Sequence, residues 1–415
     1  MNAFIVSIGD ELLYGSTIDT NSVFIARSLQ EFGIAVIKKI AVADTRKEIL
    51  EGLKEASNKA DLIIMTGGLG PTKDDITKKT LAEYFNSELE LNQEVLDHVT
   101  QIFAKWKRPL LQVNHDQALV PACAEILFNN SGTAPGMWLE QDNKTYISLP
   151  GVPFEMKHLM EKTVLPRLRN MKHSTTLIHE YIQTVGIGES RLAEIISDIE
   201  DEIPKDIHLA YLPSIAQVKL RLTGKGNDPN LANKISKIVD AISERISKYI
   251  FAYGEISLED AIGKKLQQSK STLSLAESCT GGYISHKLTT IPGSSVYFMG
   301  SYVTYDYEVK EKVLNVKKET LVKYGAVSKE TVEEMLSGCL ANLDTTYGIA
   351  VSGIAGPGGG LPDKPVGTVF IGVGNKKNHW IKKHQFRHDR ELNIKRTSVV
   401  ALNMLRIFID QEENY

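Results

Sequence analysis

The sequence predicts an α/β protein of more than one domain, and three observations carry that prediction. Apolar runs of strand length alternate with amphipathic stretches of helix length at both ends of the chain. Two of those runs end in glycine-rich turns that lead into helical sequence, at Thr66–Gly70 and at Ser278–Gly282. The 415 residues also exceed one core, since roughly 150 residues per domain gives two or three domains.

Taken in order, Ala3–Ile8 reads as a short apolar strand. Thr20 or Asn21 is placed to cap a helix with Ile25, Leu29 and Phe32 on one face, and Gly33 ends it. Ile34–Val42 is a second strand, Leu50, Leu53 and Ala56 mark a second helix, and Leu62–Met65 is a buried strand running into Gly67 and Gly68. This alternation implies a parallel sheet with helices on both faces, whose ligands bind at the C-terminal ends of the strands. A further strand, Tyr146–Leu149, stops at Pro150-Gly151-Val152-Pro153. From about His173 the order changes. Strands at Leu177–Val185, His208–Leu212 and Gln217–Thr223, with helices at Glu189–Ile199 and along Ile235, Ile238, Ile242 and Ile246, suit a small α+β layer without a catalytic cluster. Mixed α/β returns with Thr272–Leu275, Val296–Tyr305, Tyr347–Val351, Val366–Val373 and Trp380–Phe386 as strands. A last helix follows, with Ile394, Ala401, Leu405 and Phe408 on one face. The expected domains are 1–170, 171–252 and 253–415.

Net charge is −3 and hydrophobic residues make up 42%, a balance that suits a globular protein and argues against a general nucleic-acid binder. No apolar run reaches the roughly 18 residues of a membrane span, and Met1–Ile8 lacks the pattern of a signal peptide. Cys123, Cys279 and Cys339 form no paired spacing, so neither a disulfide framework nor a zinc site is implied. The expectation is a cytoplasmic protein of a reducing compartment.

The stretch from Thr66 to Thr77 is the first chemical candidate. Gly67, Gly68 and Gly70 let the backbone approach a ligand, and the following helix start suits a phosphate. Asp74 and Asp75 would repel a phosphate unless a divalent cation bridged them. The plainer role for one Asp is a helix cap. Asp10 and Glu11, after the first strand, belong to the same sheet edge and serve either as turn residues or as further polar contacts. The segments Gly9–Leu13, Thr66–Thr77 and Leu149–Pro153 resemble the CinA family, whose first domain is similar to the MoaB/MogA-like molybdopterin-binding fold. The resemblance covers essentially the whole chain. It implies a metal-dependent ADP-ribose pyrophosphatase here, with Asp74 and Asp75 holding metal and diphosphate and Gly67, Gly68 and Gly70 cradling the substrate. It also implies a KH-like middle domain. Gly186-Ile187-Gly188 replaces the GXXG loop that clamps nucleic acid, so that domain reads as a connector.

Ser278-Cys279-Thr280-Gly281-Gly282 is the second candidate. A Ser at a strand-to-helix turn is either a nucleophile beside oxyanion-binding N–H groups or an N-cap. Cys279 is either the stronger nucleophile or buried packing, and His286 either a base or a surface residue. Ala276–Gly282 resembles the AESCTGG motif of CinA C-terminal domains, which deamidate nicotinamide mononucleotide. The family's Tyr and Lys five residues apart match Tyr305 and Lys310, although Asp306-Tyr307 replaces the usual Ser-Asn between them. Ser352-Gly353-Ile354-Ala355-Gly356-Pro357 matches a third motif, a loop able to wrap a phosphate. The resemblance then implies a serine amidase. Ser278 attacks the carboxamide, Lys310 assisted by Tyr305 moves the proton, and N–H groups near Thr280 and Gly281 hold the oxyanion, with no metal or other cofactor. Thr280, Gly281, Gly282, Ser352, Gly353 and Ala355 become substrate-binding residues. The partners implied are small nucleotides and a second copy in a homodimer, with no membrane and no nucleic acid. Two other readings are a protein that binds and adenylates a molybdopterin-like pterin, and a nucleic-acid-associated competence factor.

Overall fold

A computed structural model describes all residues except 71, 73, 74, 172–175, 388 and 413–415, with the backbone alone at 176. The described chain forms two compact units, Met1–His179 with Gly224–Ala232, and Glu180–Thr223 with Asn233–Tyr415. None of the described helices is long and apolar enough to cross a membrane.

In the first unit β1 (Asn2–Ile8), β2 (Ala35–Val42), β3 (Leu62–Thr66), β6 (Glu125–Leu127), β7 (Gly136–Gln141) and β8 (Lys144–Leu149) form one sheet. Its order is β2-β1-β3-β8-β7-β6, and β4 (Leu89–Leu91) pairs separately with β5 (Leu119–Pro121). β1 runs parallel to β2 and β3, and β3 parallel to β8, as the alternation predicts. β1 shows why both faces are covered. Ala3 and Ile5 enter a core with Ile25 and Leu29 of helix Thr20–Glu31, while Phe4, Val6 and Ile8 enter another with Ile49, Leu53 and Ala56 of helix Arg46–Ser57. An unpredicted antiparallel edge, β8-β7-β6, extends the sheet. Asp142 and Asn143 make its β7–β8 turn with positive φ of 52° and 59°, the twist that a two-residue hairpin requires. The expected cap at Thr20 or Asn21 is corrected to Asp19, whose carboxylate accepts the Ser22 N–H at 2.9 Å. Asn21 is instead buried and donates to Thr66 Oγ1 and the Gly151 carbonyl at 3.0 and 2.8 Å.

The segment from 176 to 253, most of it in the second unit, carries a four-stranded sheet, β10-β11-β9-β12, made of β9 (Thr176–Val185), β10 (Ile207–Ser214), β11 (Gln217–Gly226) and β12 (Ile250–Tyr253). Helices Glu189–Asp201 and Leu231–Ile246 accompany it. Alternate residues Val218, Leu220 and Leu222 are buried, as are Leu192, Ile196, Ile235 and Ile242 from the helices. This is the small α+β layer expected from the sequence.

The same unit holds a five-stranded sheet of order β14-β13-β15-β16-β17, made of β13 (Leu273–Glu277), β14 (Phe298–Val303), β15 (Tyr347–Gly353), β16 (Thr368–Gly374) and β17 (His379–Gln385). β14 is shorter than expected because Ser294–Val296 turns in a 3₁₀ helix. Leu273, Leu275, Ile349 and Val351 face helices Leu258–Gln268 and Arg390–Glu412, while Ala276 and Ala350 face helix Lys329–Leu343. β13 pairs parallel with β14 on one side and β15 on the other. The chain therefore departs in opposite directions from neighbouring strand ends and opens a crevice at their C-terminal edge. Ser278 follows β13 at that edge, and Ser352 lies near the end of β15.

Candidate active site at the sheet edge

Burial and hydrogen bonding fix the Ser278 turn before any substrate is considered. The Ser278 N–H donates to the Val351 carbonyl at 3.1 Å, which keeps the turn on the sheet. Glu277, 1% exposed, accepts from the N–H groups of Gly282, Ile284 and Ser285 at 3.1, 3.1 and 2.9 Å and from the Ser285 hydroxyl at 2.5 Å. A buried carboxylate needs such compensation, and its charge in turn fastens the turn to the following helix.

Lys310 comes from helix Tyr307–Leu314 and is fully buried. Its Nζ donates to the Thr304 and Tyr305 carbonyls at 2.6 and 3.2 Å and reaches Ser278 Oγ at 3.2 Å. Burial pushes the ammonium down from 10.5 to about 8, with Asp306 opposing the shift. A neutral amine has two N–H donors, which the two carbonyls can take. Its lone pair is then left facing Ser278 Oγ, the arrangement of a base beside its nucleophile. Asp306 accepts the Glu308 N–H at 2.8 Å and so caps the helix that carries Lys310, while the Tyr307 hydroxyl accepts the Ala326 N–H at 3.2 Å. The Asp306-Tyr307 pair thus has structural work of its own.

Ser278, Lys310, Tyr305, Ser352, Gly353 and Ala355 line one cavity of about 180 Å³. The Tyr305 hydroxyl accepts a hydrogen bond from Arg390 at 3.0 Å, while the lysine's hydrogen bond to Tyr305 goes to the main-chain carbonyl. Thr280, Gly281 and Gly282 do not join this group and line a separate hollow of about 450 Å³ beside His286 and Lys395. The expected oxyanion donor at Gly281 is corrected as well, because its N–H is committed to the Ser278 carbonyl at 3.1 Å. The N–H groups of Cys279 and Thr280 donate to no backbone carbonyl among the described residues and take its place as candidates. The Cys279 side chain belongs to the hydrophobic core, and burial pushes its thiol up to about 12. His286 is exposed. The Ser352 hydroxyl donates to the Ala326 carbonyl at 2.7 Å.

The N-terminal candidates divide between two cavities. Gly67 lines one of about 100 Å³ with Glu11 and Asn21. Gly70 and Asp75 line another of about 320 Å³ with Lys78. A Cβ on Gly67 would lie 2.0 Å from the Ile8 carbonyl oxygen, at a φ of +117°, so the fold itself requires this glycine. Gly68 lines neither cavity, and its hydrogen faces the Thr77 hydroxyl, 2.1 Å from where a Cβ would sit. Asp10 accepts the Asp44 N–H at 3.2 Å, a turn contact. Asp75 Oδ2 accepts from the Thr72 N–H and hydroxyl at 2.8 and 2.5 Å, and Asp74 lies outside the described residues. Among the described residues no three carboxylates, histidines or cysteines gather to hold a metal. Of the two carboxylates expected to hold a metal, Asp75 is the one within the described residues.

Three families match the sequence in succession. They are described as "Probable molybdopterin binding domain" over residues 4–170, "Damage-inducible protein CinA KH domain" over 179–252 and "CinA C-terminal domain" over 255–409. A CinA-like protein of Flavobacterium psychrophilum is 48% identical over 98% of each chain. The chain belongs to the CinA family. CinA-like proteins of Cytophaga hutchinsonii and Chloroherpeton thalassium are 44% and 42% identical, over 97% of each chain and over 98% of this chain and 99% of the other. The N-terminal α/β domain is accordingly MoaB/MogA-like, the middle layer KH-like and the last domain that of CinA.

Within this CinA framework the structure adds residues that pattern reading missed. Arg390 lines the Ser278 cavity and donates to the Gly356 carbonyl at 2.8 Å as well as to Tyr305. A signal was present, since a cation in the first turn of a helix opposes the macrodipole and asks for a reason. Lys78 and Gln117, at the larger N-terminal cavity, carried no motif at all.

Proposed function

We propose that the C-terminal domain of this CinA family member is a nicotinamide mononucleotide deamidase using a serine–lysine pair. The observation that carries the reading is the fully buried Lys310 Nζ, 3.2 Å from Ser278 Oγ, with its ordinary basicity lowered to about 8. Ser278 Oγ attacks the carboxamide carbon while its proton passes to Lys310. The oxyanion sits against the Cys279 and Thr280 N–H groups. Collapse breaks the C–N bond as Lys310 returns the proton to the departing nitrogen, releasing ammonia. Water, deprotonated by Lys310, then attacks the acyl-serine, and Lys310 returns that proton to Ser278 Oγ as the C–O bond breaks and nicotinic acid mononucleotide leaves. No metal or other cofactor is needed in these steps. The substrate's pyridinium withdraws electrons from the carboxamide and favours a neutral lysine beside it.

For the N-terminal domain we propose a hydrolase that splits the diphosphate of ADP-ribose, with the divalent ion held through Asp74 and Asp75. The ion would neutralise diphosphate charge. The reading extends to a cytoplasmic homodimer of pyridine-nucleotide salvage that acts on small nucleotides, with no membrane or nucleic-acid partner. The test is product analysis after the purified chain is incubated separately with nicotinamide mononucleotide and with ADP-ribose. Ammonia and nicotinic acid mononucleotide from the first, and AMP with ribose 5-phosphate from the second, are expected. Absence of either product set refutes the corresponding half.

A further inference from the structure

Ala326 and Val327 line the Ser278 cavity from the short connection between helices Lys318–Tyr324 and Lys329–Leu343, and both are half-buried. Such a connection has no ladder of its own, so side chains must take its backbone groups. At its start the Tyr324 carbonyl accepts from Lys364 Nζ at 2.8 Å. The Gly325 carbonyl accepts from the hydroxyls of Ser328 and Thr331 at 3.0 and 2.8 Å, and the Ala326 carbonyl from the Ser352 hydroxyl at 2.7 Å. The Ala326 N–H donates to the Tyr307 hydroxyl at 3.2 Å.

These holds differ in where they come from. Ser328 and Thr331 stand where the connection enters its next helix, and Ser352 is on β15. Tyr307 comes from helix Tyr307–Leu314, which carries Lys310. Residues three apart on a helix share a face, so the helix that sends Lys310 to Ser278 also sends Tyr307 to the Ala326 wall. The two ends of this brace are not equally fixed. At the lysine end Asp306 caps the helix, Lys310 Nζ rests on two carbonyls and Leu314 is buried. At the wall end Ala326 is held on its N–H by Tyr307 and on its carbonyl by Ser352. Removing the phenol oxygen therefore loosens the wall and leaves the base where it is.

We propose that Tyr307 is a positioning residue of this site, which acts through the Ala326 N–H to set the Ala326–Val327 wall against which the substrate packs. It governs substrate affinity and takes no part in the bond-making steps. The choice of substrate rests on the deamidase reading, but positioning of the wall does not require turnover.

The test is Tyr307→Phe in the full chain, which removes one oxygen atom. KM for nicotinamide mononucleotide is expected to rise about three- to tenfold, the worth of one neutral hydrogen bond. The turnover number should stay within about twofold, the kinetic pKa near 8, and the melting temperature within about two degrees. Calorimetric titration of nicotinamide mononucleotide into Ser278→Ala, with and without Tyr307→Phe, should show the same loss of affinity in the absence of chemistry. A residue that only stabilised the fold would lower the melting temperature and the active fraction, and so kcat, at unchanged KM. That result overturns the proposal, and so does a shifted kinetic pKa, which would place the action of Tyr307 on the lysine. If Tyr307→Phe deamidates with unchanged KM and binds with unchanged affinity, the deamidase reading stands and this one falls. If the wild type releases no ammonia but binding still weakens with Tyr307→Phe, this one stands and the deamidase reading falls. If nicotinamide mononucleotide does not bind, both fall.

Discussion

The Ser278–Lys310 pair makes a quantitative prediction about pH. With Lys310 brought to about 8 by burial, about a tenth of the lysine is neutral at pH 7 and about nine tenths at pH 9. If the neutral amine is the base, kcat/KM for nicotinamide mononucleotide should rise roughly tenfold between those values and level off above pH 8. Ammonia release followed from pH 6.5 to 9.5 reads this, and the limb above pH 7 reads it directly, because the substrate phosphate is half ionised near pH 6 and about nine tenths ionised at pH 7. Stability should follow with a definite sign. A lysine depressed in the folded state binds fewer protons there than in the unfolded chain between about pH 8 and 10.5. Its burial penalty is therefore present in full below pH 8 and is relieved as pH rises across that window. A shift from 10.5 to about 8 corresponds to at most about 3 kcal/mol, and solvent at the cavity mouth screens part of it. Lys310→Met lacks the titration, so the wild type should gain stability relative to it as pH rises from 8 to 10.5 in urea melts. A flat pH–rate profile from 6.5 to 9, or a Lys310→Met variant that keeps more than a few per cent of kcat/KM, would refute the assignment of the base.

Other outcomes follow from the same geometry. Ser278→Ala should lose a factor on the order of a thousand or more in kcat while still binding substrate. Cys279→Ala should keep most activity and lose about 1–3 kcal/mol of stability, because its side chain fills core space; an inactive, folded Cys279→Ala alongside an active Ser278→Ala would reverse the nucleophile. Tyr305→Phe should leave the apparent kinetic pKa near 8, since Lys310 rests on the Tyr305 carbonyl and not on the phenol; a shifted pKa would show the phenol acting on the lysine after all. Asp75→Asn should reduce ADP-ribose cleavage tenfold or more and leave deamidation intact, and full cleavage in chelator would remove the metal from the reading.

The legible parts of the sequence were those in which neighbours in the chain stay neighbours in space. The strand-to-helix turns at Thr66 and Ser278 were readable because each occupies a few consecutive residues, and the spacing from Tyr305 to Lys310 spans about one helical turn. The β7–β8 hairpin was missed although Asp142-Asn143 is a turn dipeptide, because the flanking Trp138, Leu139 and Tyr146 are all buried and show no clean alternation. Gly281 illustrates a different limit. Its place in the turn was readable, but the capture of its N–H by the Ser278 carbonyl depends on how tightly the turn closes. Arg390 lies too far in sequence from the motifs it serves for any spacing rule to connect it.

The two buried lysines share one local arrangement. Lys78 and Lys310 each rest on the carbonyls of two consecutive residues, Asp116 and Gln117 in one case and Thr304 and Tyr305 in the other. Burial brings both down to about 8. Such a platform fixes two of the three tetrahedral positions at Nζ and aims the third. At Lys310 the third position meets a serine hydroxyl, and loss of a proton there leaves a lone pair aimed at a nucleophile. At Lys78 the neighbouring Asp116 and Asp75 oppose the effect of burial and favour the charged form. What stands around the third position therefore decides whether such a lysine works neutral, as a base, or stays charged. At Lys310 it is the nucleophile, so loss of this lysine should abolish an activity that rises with pH.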